Sequence, residues 1–297
     1  SMVDRYLPPV NVDGATLFVA RNGEQIQEFL YTDIEQAYQV TDLALVSRHM
    51  LPTPVDQDFD QRQRLLFVVR EDGKLATLTV FRSESVAAWT LHETDGKALS
   101  VSVVGDIVYL LIERDGGYMI ERFDEGLNLD AALTGTVETP TDIWSGLDHL
   151  EGRTVSIVAD GIVQPDQAVV SGSVTLAQEA SSVEVGLSYT HIVEPLPPSA
   201  IESGGAGRAV RLVEAVYRLE DTAALRLDVG RGLKNIALRD MGDDVILDAP
   251  PPKISGEVRV KSLGWQKEIN NPLWRIEQTM PLPFTLLSVT TELKVND

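Results

Sequence analysis

A chain of 297 residues, 43% apolar and 24% charged, has room for about two domains of the usual ~100–200 residues. No apolar run approaches the roughly 20 residues that cross a bilayer, so a membrane span is excluded. A formal charge of −20 opposes any tight grip on DNA or RNA, because phosphate binding is driven by Lys and Arg releasing counterions. The same acidity would let a nucleic-acid strand slide past instead of sticking. The absence of cysteine removes disulfides, thiolate zinc sites and Cys nucleophiles, and points to synthesis in a reducing cytoplasm. Ser1-Met2 ahead of Val3 reads as a cloning remnant, without the basic and apolar regions of a secretion leader, and the chain reads as an expressed piece.

In chain order, three segments share one plan: LFVARNGEQIQEFLY (17–31), LLFVVREDGKLATLTVF (65–81) and IVYLLIERDGGYMIERF (107–123). Each is an apolar strand, a charged turn and a second strand. The turns hold Asn22-Gly23, Asp72-Gly73 and Asp115-Gly116, dipeptides that tolerate the positive φ of tight hairpins. Their glycines lie 50 and 43 residues apart, with Asp95-Gly96 about midway in the second interval. Two hairpins per ~40–50 residues is the period of a β-propeller blade. AAWTLHE (87–93) and ALSVSVV (98–104) supply further strands of that unit, the latter by strict alternation. One short helix is predicted over 41–51: Thr41 caps it, Asp42 suits its first turn, Leu43, Val46 and Met50 share a face, and Pro52 stops it. Residues 15–135 supply only about three blades, fewer than the four of the smallest propellers. Either further blades lie outside this chain or the sheets do not form a propeller.

After TPTDIWSG (139–146) the spacing changes. RTVSIVAD, AVVSGSVTL, VEVGLSY, AVRLVEAVYRL, AALRLDVG, EVRVKSL, WRIEQTM and TLLSVTTELKV read as short strands separated by turns, which favours a β-sandwich. The expectation is therefore an all-β chain: propeller-blade-like antiparallel sheets over 3–140 and a β-sandwich over 141–297. RAVRLVEAVYRLE is ambiguous, since Val210, Leu212, Ala215 and Val216 also fit helical spacing; it is taken as a strand. The Pro- and Gly-rich stretches 193–207 and 247–253 read as surface loops. In HLEGRTVSIVADG (149–161), Thr154, Ser156 and Val158 alternate with Val155, Ile157 and Ala159, giving a polar and an apolar face. Asp160-Gly161 makes the turn, Glu151-Gly152 shapes the lead-in, and Arg153 and His149 sit at the exposed mouth.

Chemistry-bearing patterns are sparse. His49, His92, His149 and His191 are scattered, without an HExxH pair to hold zinc on one helical face. No GxSxG elbow occurs. SGGAGR (203–208) has the glycines of a phosphate cradle but not the GK[ST] ending, and reads as a flexible loop. Asp56, Asp58 and Asp60 alternate in DQDFD, where hard oxygens would suit Ca2+, but the glycine and distal Glu of a calcium loop are missing. A solvated acidic loop is the plainer reading, and cation binding stays open. Carboxylate pairs for glycoside hydrolysis can be drawn from any of the 45 acids, so their presence decides nothing. Trp89, Trp144, Trp265 and Trp274 would suit a sugar site, but isolated tryptophans more often pack in cores. No catalytic, cofactor-binding or metal residue is assigned, and no cofactor is expected.

LDHLEGRTVSIVADGIV (147–163) and GSVTLAQEASSVEVGLSYTHIVEPLPP (172–198) resemble the tubular nozzle proteins of short-tailed bacteriophages and their prophages, the tail tubular protein B-like family. The shared features are Leu147, Leu150, Glu151 and Gly152, the alternating strand, Ala159-Asp160-Gly161, and Val185 to Tyr189. GATLFVARNGEQIQEFLY, YQVTDLALVSRHML and MPLPFTLLSVTTELKV are also similar to that family, so the resemblance spans nearly the whole chain. Each motif is short and degenerate, and their order carries more than any one of them. The resemblance implies a non-enzymatic structural protein of the virion tail, assembled in the host bacterial cytoplasm, in a family of about twice this length with more propeller sequence upstream. Copies, six in the best known relatives, would form a ring beside adjacent tail and adaptor proteins and conduct DNA without binding it specifically. Two other readings stay open: a tail-associated β-sandwich that binds host-surface carbohydrate or protein, and a propeller-type polysaccharide hydrolase.

Overall fold

Short apolar runs between turn residues fold into antiparallel strands along the chain. The computed structural model describes residues 7–295 except 22, 24, 33–36, 46, 82–85, 197–209, 239–248 and 263–270. Among the described residues the chain is all-β, with six antiparallel sheets and no α-helix; none of the sheets closes into a barrel. It divides into two compact units, Ser1–Glu125 and Gly126–Asp297.

In the first unit, β1 (Val10–Val12), β2 (Ala15–Val19), β3 (Ile26–Thr32) and β4 (Ala37–Asp42) form a first sheet. A second follows from β5 (Pro54–Asp60), β6 (Leu65–Arg70), β7 (Leu75–Phe81) and β8 (Val86–His92), and a third from β9 (Lys97–Val104), β10 (Ile107–Arg114) and β11 (Gly117–Arg122). The three predicted hairpins are thus β2–β3, β6–β7 and β10–β11. The second sheet is the middle layer. Leu66, Val68, Ala76, Leu78 and Val80 pack from one of its faces against Val12, Leu17 and Ile26 of the first sheet. Phe67, Val69 and Leu75 pack from the other against Val101, Val108, Leu110 and Ile112 of the third. Burial on both faces is why LLFVV is apolar at consecutive positions while β9 and β10 alternate. Each fully buried Leu or Phe here contributes about 1.5–3 kcal/mol.

The predicted helix over 41–51 does not form. Thr41 stays in β4 opposite Glu28, and the Leu43 amide donates to the Ile26 carbonyl at 2.9 Å. Asp42 then makes a local turn: its Oδ1 accepts the Ala44 amide at 2.9 Å and its Oδ2 the Arg48 guanidinium at 3.0 Å. This side-chain bonding to the nearby backbone competes with helix. A single 3-10 turn, Arg48–Met50, follows, and Ala44 and Leu51 enter the core between the first two sheets. Val46 lies outside the described residues.

In the second unit, β12 (Asp130–Ser145), β13 (Thr154–Ala159), β14 (Ile162–Ala168) and β15 (Ser173–Leu187) form a fourth sheet in the order β12-β15-β13-β14. β12 runs through position 140. The core of this sheet includes Leu150, Val155, Ile157, Val174 and Val185. The remaining strands are β16 (His191–Val193), β17 (Val210–Thr222), β18 (Leu225–Asp228), β19 (Lys234–Ile236), β20 (Ile254–Lys261), β21 (Arg275–Gln278) and β22 (Thr285–Val295). They form a fifth sheet, β16-β21-β18-β19, and a sixth, β20-β17-β22. These two share one core, where Tyr217 and Leu219 meet Leu225, Leu227 and Ile276, and Trp274 stands edge-on to Tyr217 at 5.5 Å between ring centroids. The segment with helix-like spacing is the central strand β17, paired on both sides.

Candidate functional site

The acidic run at 56–60 is strand β5, not a solvated loop. β5 lies at an edge of the second sheet, beside β9 at an edge of the third. Carboxylates bond across that seam. Asp56 Oδ2 accepts the Ser100 hydroxyl and the Val101 amide, the latter at 3.0 Å, and Asp58 Oδ2 accepts the Val103 amide at 2.6 Å. Their Oδ1 atoms accept the amides of Gln57 and Phe59. Asp60 is buried; Oδ1 accepts the Arg62 amide at 2.8 Å, and Oδ2 has no hydrogen-bond partner among the described residues. Alternation along a strand does not by itself make a chelate, and no group of three or more His, Asp or Glu suited to a metal occurs among the described residues.

The stretch 149–161 holds a second set of engaged carboxylates. Asp160 and Gly161 both have positive φ, 47° and 79°, as a two-residue turn of the primed type requires. The Asp160 carboxylate also accepts the Ser181 and Ser182 amides and the Ser182 hydroxyl at 2.8–3.0 Å. The Ser181 amide, then the Ser182 hydroxyl, hold its pKa below the ordinary carboxylate value. Glu151 likewise accepts the amides of Ser171 and Gly172, at 3.0 and 2.7 Å. His149 is half-buried, not at an exposed mouth, with Nε2 2.9 Å from the Ala131 carbonyl. Ser156 is buried, so its strand is not cleanly two-faced; its hydroxyl donates to Asp166 at 2.7 Å. Sequence reading placed Asp160 and Glu151 at turns but missed their grip on β15 and the 171–172 loop, partners that follow about 20 residues later.

The histidines do not converge. His49 is exposed on the 3-10 turn, and His92 Nε2 lies 3.0 Å from the Thr77 hydroxyl and edge-on to Phe123. His191 is half-buried against Tyr189, with ring centroids 4.6 Å apart. Burial lowers the His191 pKa; burial, then the charges of Glu184 and Asp130, raises that of Tyr189. Both rings are therefore neutral near pH 7. Trp144 and Trp274 are buried in cores, and Trp89 donates to the Leu43 carbonyl at 3.0 Å. Trp265 and SGGAGR (203–208) lie outside the described residues.

A cleft of about 190 Å³ opens between the fifth and sixth sheets, walled by Leu227, Val229, Ile236 and Val260 and carrying Arg231, Lys234 and Lys261. Three cations in one cleft stand out in a chain of −20. No described helix is long and apolar enough to cross a membrane. Compared with known proteins, the chain matches no family model and no curated sequence.

Proposed function

We propose that the chain is a structural component of a short-tailed phage tail nozzle, without enzymatic activity, that self-associates into a ring and conducts DNA. On this reading the first unit is part of a β-propeller, its stacked sheets the blades, and a β-sandwich follows. The observation that carries it is the use of the acidic side chains: Asp56, Asp58, Glu151 and Asp160 brace backbone amides between strands and loops. Acids serve as struts within a chain of −20, a charge that suits a conduit which must not hold phosphate. The ordered segments resembling the nozzle family add the virion context. Negative-stain imaging of the full-length protein with its tail partners should reveal a six-fold ring, and DNA should not be retained at physiological salt. Protein that stays monomeric with those partners, or that binds DNA tightly, would overturn the reading.

The cationic cleft favours a second reading, attachment of the second unit to an anionic host-surface glycan. Glycan arrays and cell binding with the whole chain test it: binding should be lost in Lys234→Glu, and silence across host surfaces removes it.

A further inference from the structure

Asp56, Asp58 and Asp60 alternate along β5 and so share one of its faces, the face from which Asp56 and Asp58 reach β9. Asp56 holds the Val101 amide and Asp58 the Val103 amide, so the partner advances by two residues as the acid does. The next step would bring Asp60 to Gly105, but β9 ends at Val104 and the chain turns through Gly105-Asp106 into β10. Asp60 therefore faces past the end of the strand, into a pocket of about 200 Å³ that is also lined by Asp106 and by the 122–125 stretch. Asp60 is 1% exposed; its Oδ1 accepts the Arg62 amide, and its Oδ2 has no hydrogen-bond partner among the described residues. A carboxylate oxygen buried in that state carries a desolvation cost that a cationic donor would offset.

We propose that this pocket binds a primary alkylammonium group. The site is independent of the nozzle reading and of the cleft in the second unit. The cations of its rim are engaged with rim acids, Arg62 with Glu125 at 3.3 Å and Arg122 with Asp124 at 2.5 Å. Asp60 Oδ2 and Asp106, which makes no ion pair among the described residues, are left as uncompensated negative charge. Asp60 offers a single oxygen, which a guanidinium fork cannot grip through two parallel bonds, whereas an ammonium is a point charge with three donors. A metal ion fits less well: Ca2+ takes six to eight oxygens, and no group of three or more His, Asp or Glu suited to a metal occurs among the described residues. Ile107 and Phe123 line the same pocket and give the methylenes behind the ammonium an apolar wall. A free diamine and the lysine side chain of another protein both carry this group.

The test follows amide chemical shifts of the isotopically labelled 297-residue chain at low salt, where charge pairs are least screened. Titration with 1,5-diaminopentane should move the amides of 60–63 and 106–108 saturably. Asp60→Asn and Asp106→Asn should each weaken that binding roughly tenfold or more. Asp60→Asn keeps an oxygen for the Arg62 amide, and Asp106→Asn lies at an exposed turn, so one variant remains usable where the other fails to fold. Glu138→Gln, an exposed acid of the second unit, should bind as wild type does, which separates the pocket from general attraction to a chain of −20. Acetyl-lysine methylamide that binds as tightly as the diamine assigns the site to a partner's lysine, and weaker binding assigns it to a free diamine. No saturable shift in wild type, equal weakening by Glu138→Gln, undiminished binding in Asp106→Asn, or butylguanidinium that binds as tightly as the diamine overturns the site.

Discussion

The Asp160 carboxylate holds Ser182 twice, Oδ1 accepting its amide at 2.8 Å and its hydroxyl at 2.9 Å, while the Asp160 amide donates to the Ser182 carbonyl at 3.0 Å. The β13–β14 turn is thereby tied to the middle of β15. Asp160→Gly keeps the positive φ and removes the carboxylate, isolating these bonds at a cost of about 1–2 kcal/mol, at the lower end because the group is exposed. Asp160→Ala adds strain at φ 47° and should cost more. The folded pKa lies below the ordinary 3.8, so the stabilisation is complete above 3.8 and is lost as pH falls through the folded value. Urea unfolding followed by circular dichroism reads all three effects; a Gly variant as stable as wild type would show that the carboxylate contributes nothing.

Gly186 in β15 is a second fixed point. A Cβ there would lie 2.7 Å from the Asp130 carbonyl oxygen and 3.0 Å from the Ala132 Cα, both backbone atoms. Backbone cannot swing aside as a side-chain tip can. Gly186→Ala should therefore destabilise the fourth sheet by about 1–3 kcal/mol. Gly146→Ala serves as a control, with the strain of a positive φ, 91°, and no clash. If Gly186→Ala unfolds at the same urea concentration as wild type, the crossing of the 129–132 segment is looser than described.

What the sequence revealed and what it concealed follow from the range of the interactions. Hairpins β6–β7 and β10–β11 were legible because apolar alternation or runs and Asp-Gly turns are local signals. β17 looked helical for an identifiable reason. A bulge at Leu212/Glu214 moves the buried side from 210 and 212 to 215, 217 and 219, and the resulting step of three mimics a helix. The false helix at 41–51 had helical spacing too, but Asp42 satisfied the backbone locally and Ala44 and Leu51 found a core two sheets thick. The carboxylate struts were invisible because their partners lie tens of residues away: Asp56 meets Val101 and Glu151 meets Gly172. Such pairings depend on which sheet edges meet, which spacing along one chain does not encode.

His191 gives the second unit a pH response distinct from that of its carboxylates. Burial holds its folded pKa below the ordinary 6.5, so the unfolded chain binds more protons in the interval between the two values. The stability is fully present above 6.5 and is lost as pH falls through the folded pKa. His191→Gln removes the titration, so its melting temperature should fall less than that of wild type between pH 7 and 5. Parallel curves for the two proteins across that interval would show that His191 is protonated equally in the folded and unfolded states.

The seam between β5 and β9 decides between strut and chelate. Asp56 and Asp58 point oxygens at the amides of Val101 and Val103, at 3.0 and 2.6 Å, so N–H groups occupy the lone pairs that a cation would need. Ca2+ takes six to eight oxygen ligands, and a neighbourhood of amide donors repels it. Asp56→Ala and Asp58→Ala should each lower stability by about 1–3 kcal/mol, since each strands an amide at a half-buried seam. The double variant should lose less than the sum, because the two residues brace the same pair of strands. Millimolar Ca2+ should leave the wild-type melting temperature unchanged, as a ligand that does not bind the folded state cannot stabilise it. A calcium-dependent rise in wild type that disappears in Asp56→Ala would identify a cation site and reduce the amide bonds to the resting state of its ligands.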